Sequence, residues 1–254
     1  MKIATWNVNS IKARLDHAKN WVETHHPDVL MIQELKGETF PADVFQAIGY
    51  NAEFVGQKAY NGVAILSPHP ITVILDRLPG DDADEQARYL EVEIKGLRLI
   101  NIYLPNGNPV DSEKFPYKLQ WMARLKDRLA HLRREGIAFA VGGDFNVIPD
   151  AEDCYDPKAW ENDALFRPES RAAFRALLWL GLTDALRVVN TAPRQYTYWD
   201  YQAGAWPADK GIRIDHFLLS PTIADKLQDC TIDRDPRALD KASDHTPLVM
   251  TIDY

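Results

Sequence analysis

"FAVGGDFNVIPD", residues 139–150, is an apolar run of the kind that buries a strand, interrupted by two glycines, an aspartate and an asparagine. Side chains two apart on extended backbone point the same way, so Asp144 and Asn146 are expected together on one face. Gly142 and Gly143 remove side-chain bulk and would let a ligand approach the backbone. The plainer alternative is a strand running into a turn, because Asp, Asn and Pro are common turn residues. The surrounding segments decide between them.

Working outward, strand-like and helix-like segments alternate across the chain without short-period repeats, low-complexity tracts or a Ser/Gly linker, which predicts one domain over residues 1–254. "KIATWNV" reads as a strand, "SIKARLDHAKNWVETH" as a helix with Ser10 as N-cap, and "DVLMIQE" as a buried strand ending in Glu34. "NAEFVG", "GVAILS", "ITVIL", "RYLEVEI" and "LRLINIYLP" follow, several with connections too short for a helical crossover, so antiparallel pairing is expected. "KFPYKLQWMARLKDRLAHLRREG" is a long amphipathic helix closed by Gly136. After the strand at 139 come a helix around "ESRAAFRALLWLGL" and the strands "RIDHFLLS", "DCTIDRD" and "TPLVMTIDY". Two mixed sheets packed face to face, with helices outside, fit this order.

Hydrophobic residues at 46% and charged residues at 26% are ordinary globular values, which argues against disorder. A net charge of −8 argues against nonspecific coating of nucleic acid, though an enzyme can still grip DNA with a local patch. Met1-Lys2 leads directly into the first strand without an apolar leader pattern, and no run has the length of a membrane span. Cys154 and Cys230 are far apart and lack metal-site spacing, which suits a reducing compartment. The expectation is a cytoplasmic protein with no membrane partner.

Most buried-looking strands end in, or carry, a residue suited to a hard cation or a phosphate. These are Asn7 and Asn9, Glu34, Tyr103 and Asn106, Asp144 and Asn146, Asp215, and the Ser243-Asp244-His245 run. Singly, each has an ordinary structural explanation; together at one end of a sandwich they are most simply one site. Asp215 lies within "IRIDHFLL" on the face shared with Phe217 and Leu219, where it needs a partner such as Arg213 or His245. His216 points the other way and is read as structural. Oxygen donors without Cys or clustered His suit Mg²⁺ or Mn²⁺. An Asp to accept a proton from water and a His held by an Asp complete a set for metal-assisted hydrolysis of a phosphate ester.

"IATWNVNSIKAR", "DVLMIQELK", "NIYLPNG", "VGGDFNVIP", "RIDHFLLS" and "SDHTPL" stand in the order of the exonuclease III family of abasic-site endonucleases, which the whole chain resembles. The resemblance implies a four-layer α/β sandwich and a DNA-repair nuclease that nicks 5′ to abasic sites with Mg²⁺, with Mn²⁺ as a substitute. It also implies 3′-to-5′ exonuclease or 3′-end-cleaning activity on double-stranded DNA, and a monomer. It makes Glu34 the principal metal ligand with Asn7 and Asp244 nearby, and Asp144 the residue that deprotonates water with Asn146 as its partner. Asp144 and Asn146 also count among the metal-site residues. His245, oriented by Asp215, and Tyr103 would contact the phosphate, and Asn106 the DNA backbone. Tyr198 and Trp199 in "YTYWDY" stand where the family has an aromatic pair lining the flipped sugar, with Ile212 and Ile214 on the neighbouring wall.

Lys12, Arg14, Lys58, Tyr60, Lys210 and Lys241 are candidate DNA contacts from loops beside the motif strands. Two other readings stand beside the leading one: a phosphodiesterase or phosphatase of the same fold acting on a non-DNA phosphate ester, and a non-catalytic DNA-binding protein on this fold.

Overall fold

The computed structural model describes all 254 residues. Its strands are β1 (Lys2–Asn7), β2 (Val29–Gln33), β3 (Asn51–Val55), β4 (Val63–Ser67), β5 (Thr72–Leu75), β6 (Tyr89–Ile94), β7 (Leu97–Tyr103), β8 (Phe139–Asp144), β9 (Thr183–Asp184), β10 (Asp215–Leu219), β11 (Leu227–Ile232) and β12 (Leu248–Ile252). They form two six-stranded sheets, ordered β11-β12-β1-β2-β4-β3 and β5-β6-β7-β8-β10-β9. Each sheet is antiparallel except for one parallel pair, β1 with β2 and β7 with β8. A parallel pair needs a crossover, and helices α1 (Leu15–His25) and α3 (Lys114–Arg134) supply the two.

Three apolar layers explain the packing. The inner faces of both sheets meet in a cluster that includes Ile3, Met31, Ile65, Leu99, Phe217 and Met250. α1 and the short α2 (Ala42–Gln46) cover the outer face of the first sheet through Trp21, Val22 and Phe45. α3 covers the second sheet through Trp121, Leu125 and Leu129, and joins there a cluster containing Phe174 and Leu177 of α5 (Pro168–Leu178), which follows the short α4 (Pro157–Trp160). The result is the expected α/β/β/α sandwich.

Two expectations are corrected. α1 begins at Leu15 and not after Ser10, because Ser10 has φ 89° and the N–H groups of Ser10 and Ile11 donate to Glu34 O (2.8 Å) and Leu35 O (3.3 Å), fastening this segment to the end of β2. Gly142 and Gly143 serve packing and leave no opening for a ligand. A Cβ on Gly142 would lie 2.3 Å from the Phe217 ring, and one on Gly143 would lie 2.0 Å from Ile102 O.

Candidate active site

The carboxyl ends of both parallel pairs open at the same edge of the sandwich. Tyr103 and Asp144 are register partners across β7 and β8, and Asp144 and Asp215 are partners across β8 and β10. The other sheet contributes Asn7 from β1, Glu34 immediately after β2, and Asp244 and His245 from the turn before β12. Two contacts join the halves. Asn7 Nδ2 donates to Glu34 Oε2 and to Asp144 Oδ2, each at 3.0 Å. His245 Nδ1 lies 2.9 Å from Asp215 Oδ2, and its Nε2 lies 3.7 Å from Asp144 Oδ2.

Burial sets the electrostatics. Asp144, Asp215 and His245 are all buried, and their ligand atoms lie within 4.8 Å of one another. Burial pushes the Asp144 carboxyl above the usual range; His245 opposes the shift and Asp215 adds to it. Burial also works against a charged His245, but Asp215 and then Asp144 outweigh it and hold the imidazolium well above the ordinary histidine range. Tyr103 is driven upward by burial, then by Glu34 and Asp144, and remains a neutral phenol able to donate. One imidazolium between two carboxylates is thus the charge pattern at the centre.

Asp144 and Asn146 do come together, but not through strand alternation. Asn146 is left-handed at φ 48°, and its N–H donates to Asp144 Oδ1 (2.8 Å) while its Nδ2 donates to Leu104 O (2.9 Å) and Asp144 Oδ2 (3.3 Å). Asn106 Nδ2 donates to Asn146 Oδ1 at 3.1 Å, so Asn106 belongs to this network. Glu34, at φ 62°, occupies the same region without a glycine's freedom, a conformation that costs on the order of 1 kcal/mol or more and turns its carboxylate into the cleft.

The donor set fits a hard cation. Glu34 and Asp244 offer carboxylate oxygens to the cleft, Asp144 adds a third carboxylate, and no thiol is present. The Lys36 ammonium lies 3.0 Å from Glu34 Oε1, a positive charge drawn to that oxygen, and Asn9 joins the parts by donating to Asp244 Oδ1 (3.0 Å) and accepting from Lys36. Asn7 stands at the junction of these carboxylates. Its Oδ1 accepts from Asn9 N (2.9 Å), so it presents N–H groups, not oxygen, to the carboxylates and orients them. Asn146 Oδ1 likewise already accepts from Asn106.

A cleft of about 310 Å³ adjoins these groups, lined on its outer side by Trp160, Leu165, Tyr198 and Ile214 and by the polar Asn108, Asp163 and Asp200. The Tyr198 ring meets the His245 ring edge-on at 5.0 Å.

A model of the endonuclease/exonuclease/phosphatase family matches residues 4–245. Exodeoxyribonuclease III of Haemophilus influenzae is 34% identical over 262 residues, covering 98% of each chain. The chain belongs to the exonuclease III family. Two solved structures agree over their whole length and that of this chain: a 3′-5′ exonuclease from Neisseria meningitidis (TM-score 0.97, 40% identity) and an AP endonuclease from Archaeoglobus fulgidus (TM-score 0.95, 39% identity). The chain is therefore a hydrolase of exonuclease III type, which sets aside the non-catalytic reading.

Within this exonuclease III-family hydrolase, most of the site residues singled out from sequence meet at one place, while Trp199, Ile212, Arg213 and Arg14 are engaged elsewhere. Trp199 is fully buried behind the cleft, with Nε1 donating to Asp209 Oδ1 (3.0 Å) and its ring against Tyr196 and Trp206. Ile212, also buried, packs with Ile148 and Cys154 beneath the wall that Ile214 and Tyr198 form. Arg213 does not pair with Asp215; it is bound to Asp153 and Asp184 and faces His216, so the alternation of β10, which begins at Asp215, does not extend back to it. Arg14, half-buried, donates to Asn9 O, Ala242 O, Lys241 O and Tyr201 and so braces the loops beside the site. Asn9, singled out from sequence as a polar strand end, proves to bridge parts of the site, whereas Asn108, Trp160 and Asp163 line the cleft without having been singled out. Asn108 could have been sought, since it follows directly on "NIYLPNG"; Trp160 and Asp163 carry no local signal.

No helix is long and apolar enough to cross a membrane.

Proposed function

We propose that this hydrolase cleaves the phosphodiester 5′ to an abasic site in double-stranded DNA and trims 3′ ends, using Mg²⁺ with Mn²⁺ able to replace it. The observation that carries the reading is the Asp144–His245–Asp215 triad set beside the Glu34 and Asp244 oxygens, with a pocket of mixed polarity alongside. The relatives' names as exonuclease III and AP endonuclease support DNA as substrate.

Glu34 and Asp244 would hold the cation, steered by Asn7 and Asn9. When bound, it supplies positive charge against the charge that builds on phosphate and leaving oxygen. Asp144, its pKa raised by burial, is placed to take a proton from water, and Asn146 fixes its carboxylate by two hydrogen bonds. His245, kept protonated by Asp215, donates to a phosphate oxygen from the other side, and the Tyr103 phenol is available as a second donor. Tyr198, Leu165, Ile214 and Trp160 would receive a sugar that has lost its base. All these groups come from one chain, which supports a monomer as the active form.

The test is an end-labelled duplex with or without one abasic site, incubated with Mg²⁺ or EDTA. The expected product is a nick 5′ to the lesion with a 3′-hydroxyl that a polymerase extends. An unextendable 3′ unsaturated aldehyde, or a borohydride-trapped adduct, would overturn hydrolysis in favour of an amine mechanism. The Lys36 amine, beside the carboxylates, is already engaged by Glu34 and Asn9.

A further inference from the structure

α3 turns an apolar face to the sheet through Phe115, Trp121, Met122 and Leu125, yet one member of that face is a lysine. Lys118 is fully buried, at 0% exposure. Its stem packs beneath Gly107, where an added Cβ would stand 2.7 Å from Lys118 Cδ. Its Nζ donates to two main-chain carbonyls, Asn106 O at 3.0 Å and Asn146 O at 2.5 Å. One belongs to the loop after β7 and the other to the loop after β8.

We propose that Lys118 is a positioning residue for hydrolysis, its amine tying the backbone of Asn106 to that of Asn146 so that Asn146 keeps its left-handed turn and holds Asp144 in reacting geometry. This rests on the site assignment proposed above. Burying an amine is costly, and an apolar residue would be the ordinary choice on this helix face. An apolar residue here would remove the donor from both carbonyls and leave Asn146 O unpaired in the interior, with the cost falling on the loops that carry the site. The tie does not depend on charge: burial lowers the amine's pKa to about 7, and a neutral amine still has two N–H bonds for two carbonyls. Asn106 Nδ2 to Asn146 Oδ1 closes a second link between the same loops, so the backbone and the side chain of Asn146 are both held. Misplacing a reacting group by about 1 Å can cost roughly a hundredfold in rate, which sets the scale of the effect.

The experiment compares Lys118→Met, Lys118→Arg and Asn146→Ala in single-turnover cleavage at saturating DNA and Mg²⁺, with DNA affinity measured separately in EDTA. Lys118→Met should slow cleavage about 10- to 100-fold while changing DNA affinity less than about threefold. Lys118→Arg, which keeps donors in reach of the carbonyls, should recover most of that loss. Because Lys118 acts through Asn146, adding Lys118→Met to Asn146→Ala should cost less than about threefold further. Should Lys118→Met not fold, Lys118→Gln, which can reach only one carbonyl, takes its place with the same expectations. Wild-type speed in the Met or Gln variant, a loss shared equally by a folded Arg variant, or full additivity with Asn146→Ala would each overturn the proposal. Failure of the wild-type chain to cleave any DNA would instead overturn the function proposed for the site.

Discussion

Asp144 and Asp215 stand directly opposite each other across β8 and β10, and His245, from the other sheet, lies between their carboxylates. Two buried carboxylates side by side repel, so the imidazolium stabilises both while each keeps it charged. Asp215 gives Oδ2 to His245, and its Oδ1 is buried without a hydrogen-bond partner, so its charge is directed at the ring. Asp215→Asn should therefore leave the fold and DNA affinity intact and slow cleavage roughly a hundredfold, by losing the charge and orientation of His245. Asp144→Asn should slow it by about 10² to 10⁴ with DNA binding kept. Near-normal single-turnover rates in either variant would remove that residue from the chemistry.

Metal use is expected to follow Glu34. EDTA should stop cleavage and Mg²⁺ restore it, while Glu34→Ala should raise the Mg²⁺ concentration giving half-maximal rate at least tenfold and lower the limiting rate. Isothermal titration of Mg²⁺ into the DNA-free protein checks the binding half independently of turnover. Equal metal affinity in the wild type and Glu34→Ala would move the ion elsewhere.

Tyr198 and Trp199 are neighbours in sequence with opposite surroundings, and two substitutions separate them. Tyr198→Ala should weaken recognition of an abasic duplex, seen as a raised KM, with little change in melting temperature, because the ring borders the cleft. Trp199→Ala removes a fully buried indole and should cost about 3 to 5 kcal/mol of stability. Urea denaturation of both variants decides this, and a stable Trp199→Ala with lost recognition would return Trp199 to the pocket.

His216 predicts an acid limit for stability. Its Nδ1 faces Arg213 Nη1 at 3.0 Å and its Nε2 lies 3.0 Å from Val147 O, so the neutral ring accepts from the guanidinium and donates to the carbonyl. Burial, followed by the Arg213 charge, pushes its pKa down to about 4. The unfolded chain then binds the proton first, so the contribution is complete above pH 6.5 and is lost as pH falls from about 6.5 to about 4, on the order of 3 kcal/mol in all. His216→Gln should be less stable at pH 7 and flatter across that window in urea titrations. An identical pH slope in both chains would contradict it.

Most strands were readable from sequence as short apolar or alternating runs, and the polar residues at or just past the ends of β1, β2, β7 and β8 are among those the two sheets bring together. What local pattern could not carry was orientation. The Asn7 amide is turned by the N–H of Asn9, and the meeting of Asp144 with Asn146 is made by a left-handed turn that alternation does not describe. Arg213 looked like a partner for Asp215 only on the assumption that the strand had already begun. Trp199 lies behind the wall because its indole N–H is satisfied by Asp209, ten residues on, which no spacing rule announces. Lys118 was legible in principle, as a lysine in step with Phe115, Met122 and Leu125 on a helix whose apolar face is otherwise continuous.

β1 is hydrogen-bonded between β2 and β12, and Asp244 and His245 sit just ahead of β12. The sheet holding Tyr103, Asp144 and Asp215 is complete in sequence by Leu219, whereas the imidazole between Asp144 and Asp215 and the Asp244 carboxylate beside Glu34 come from the stretch just ahead of β12. Docking of β12 against β1 is therefore what carries the positive charge to the two buried carboxylates, and the site is whole only when the closing strand is in place.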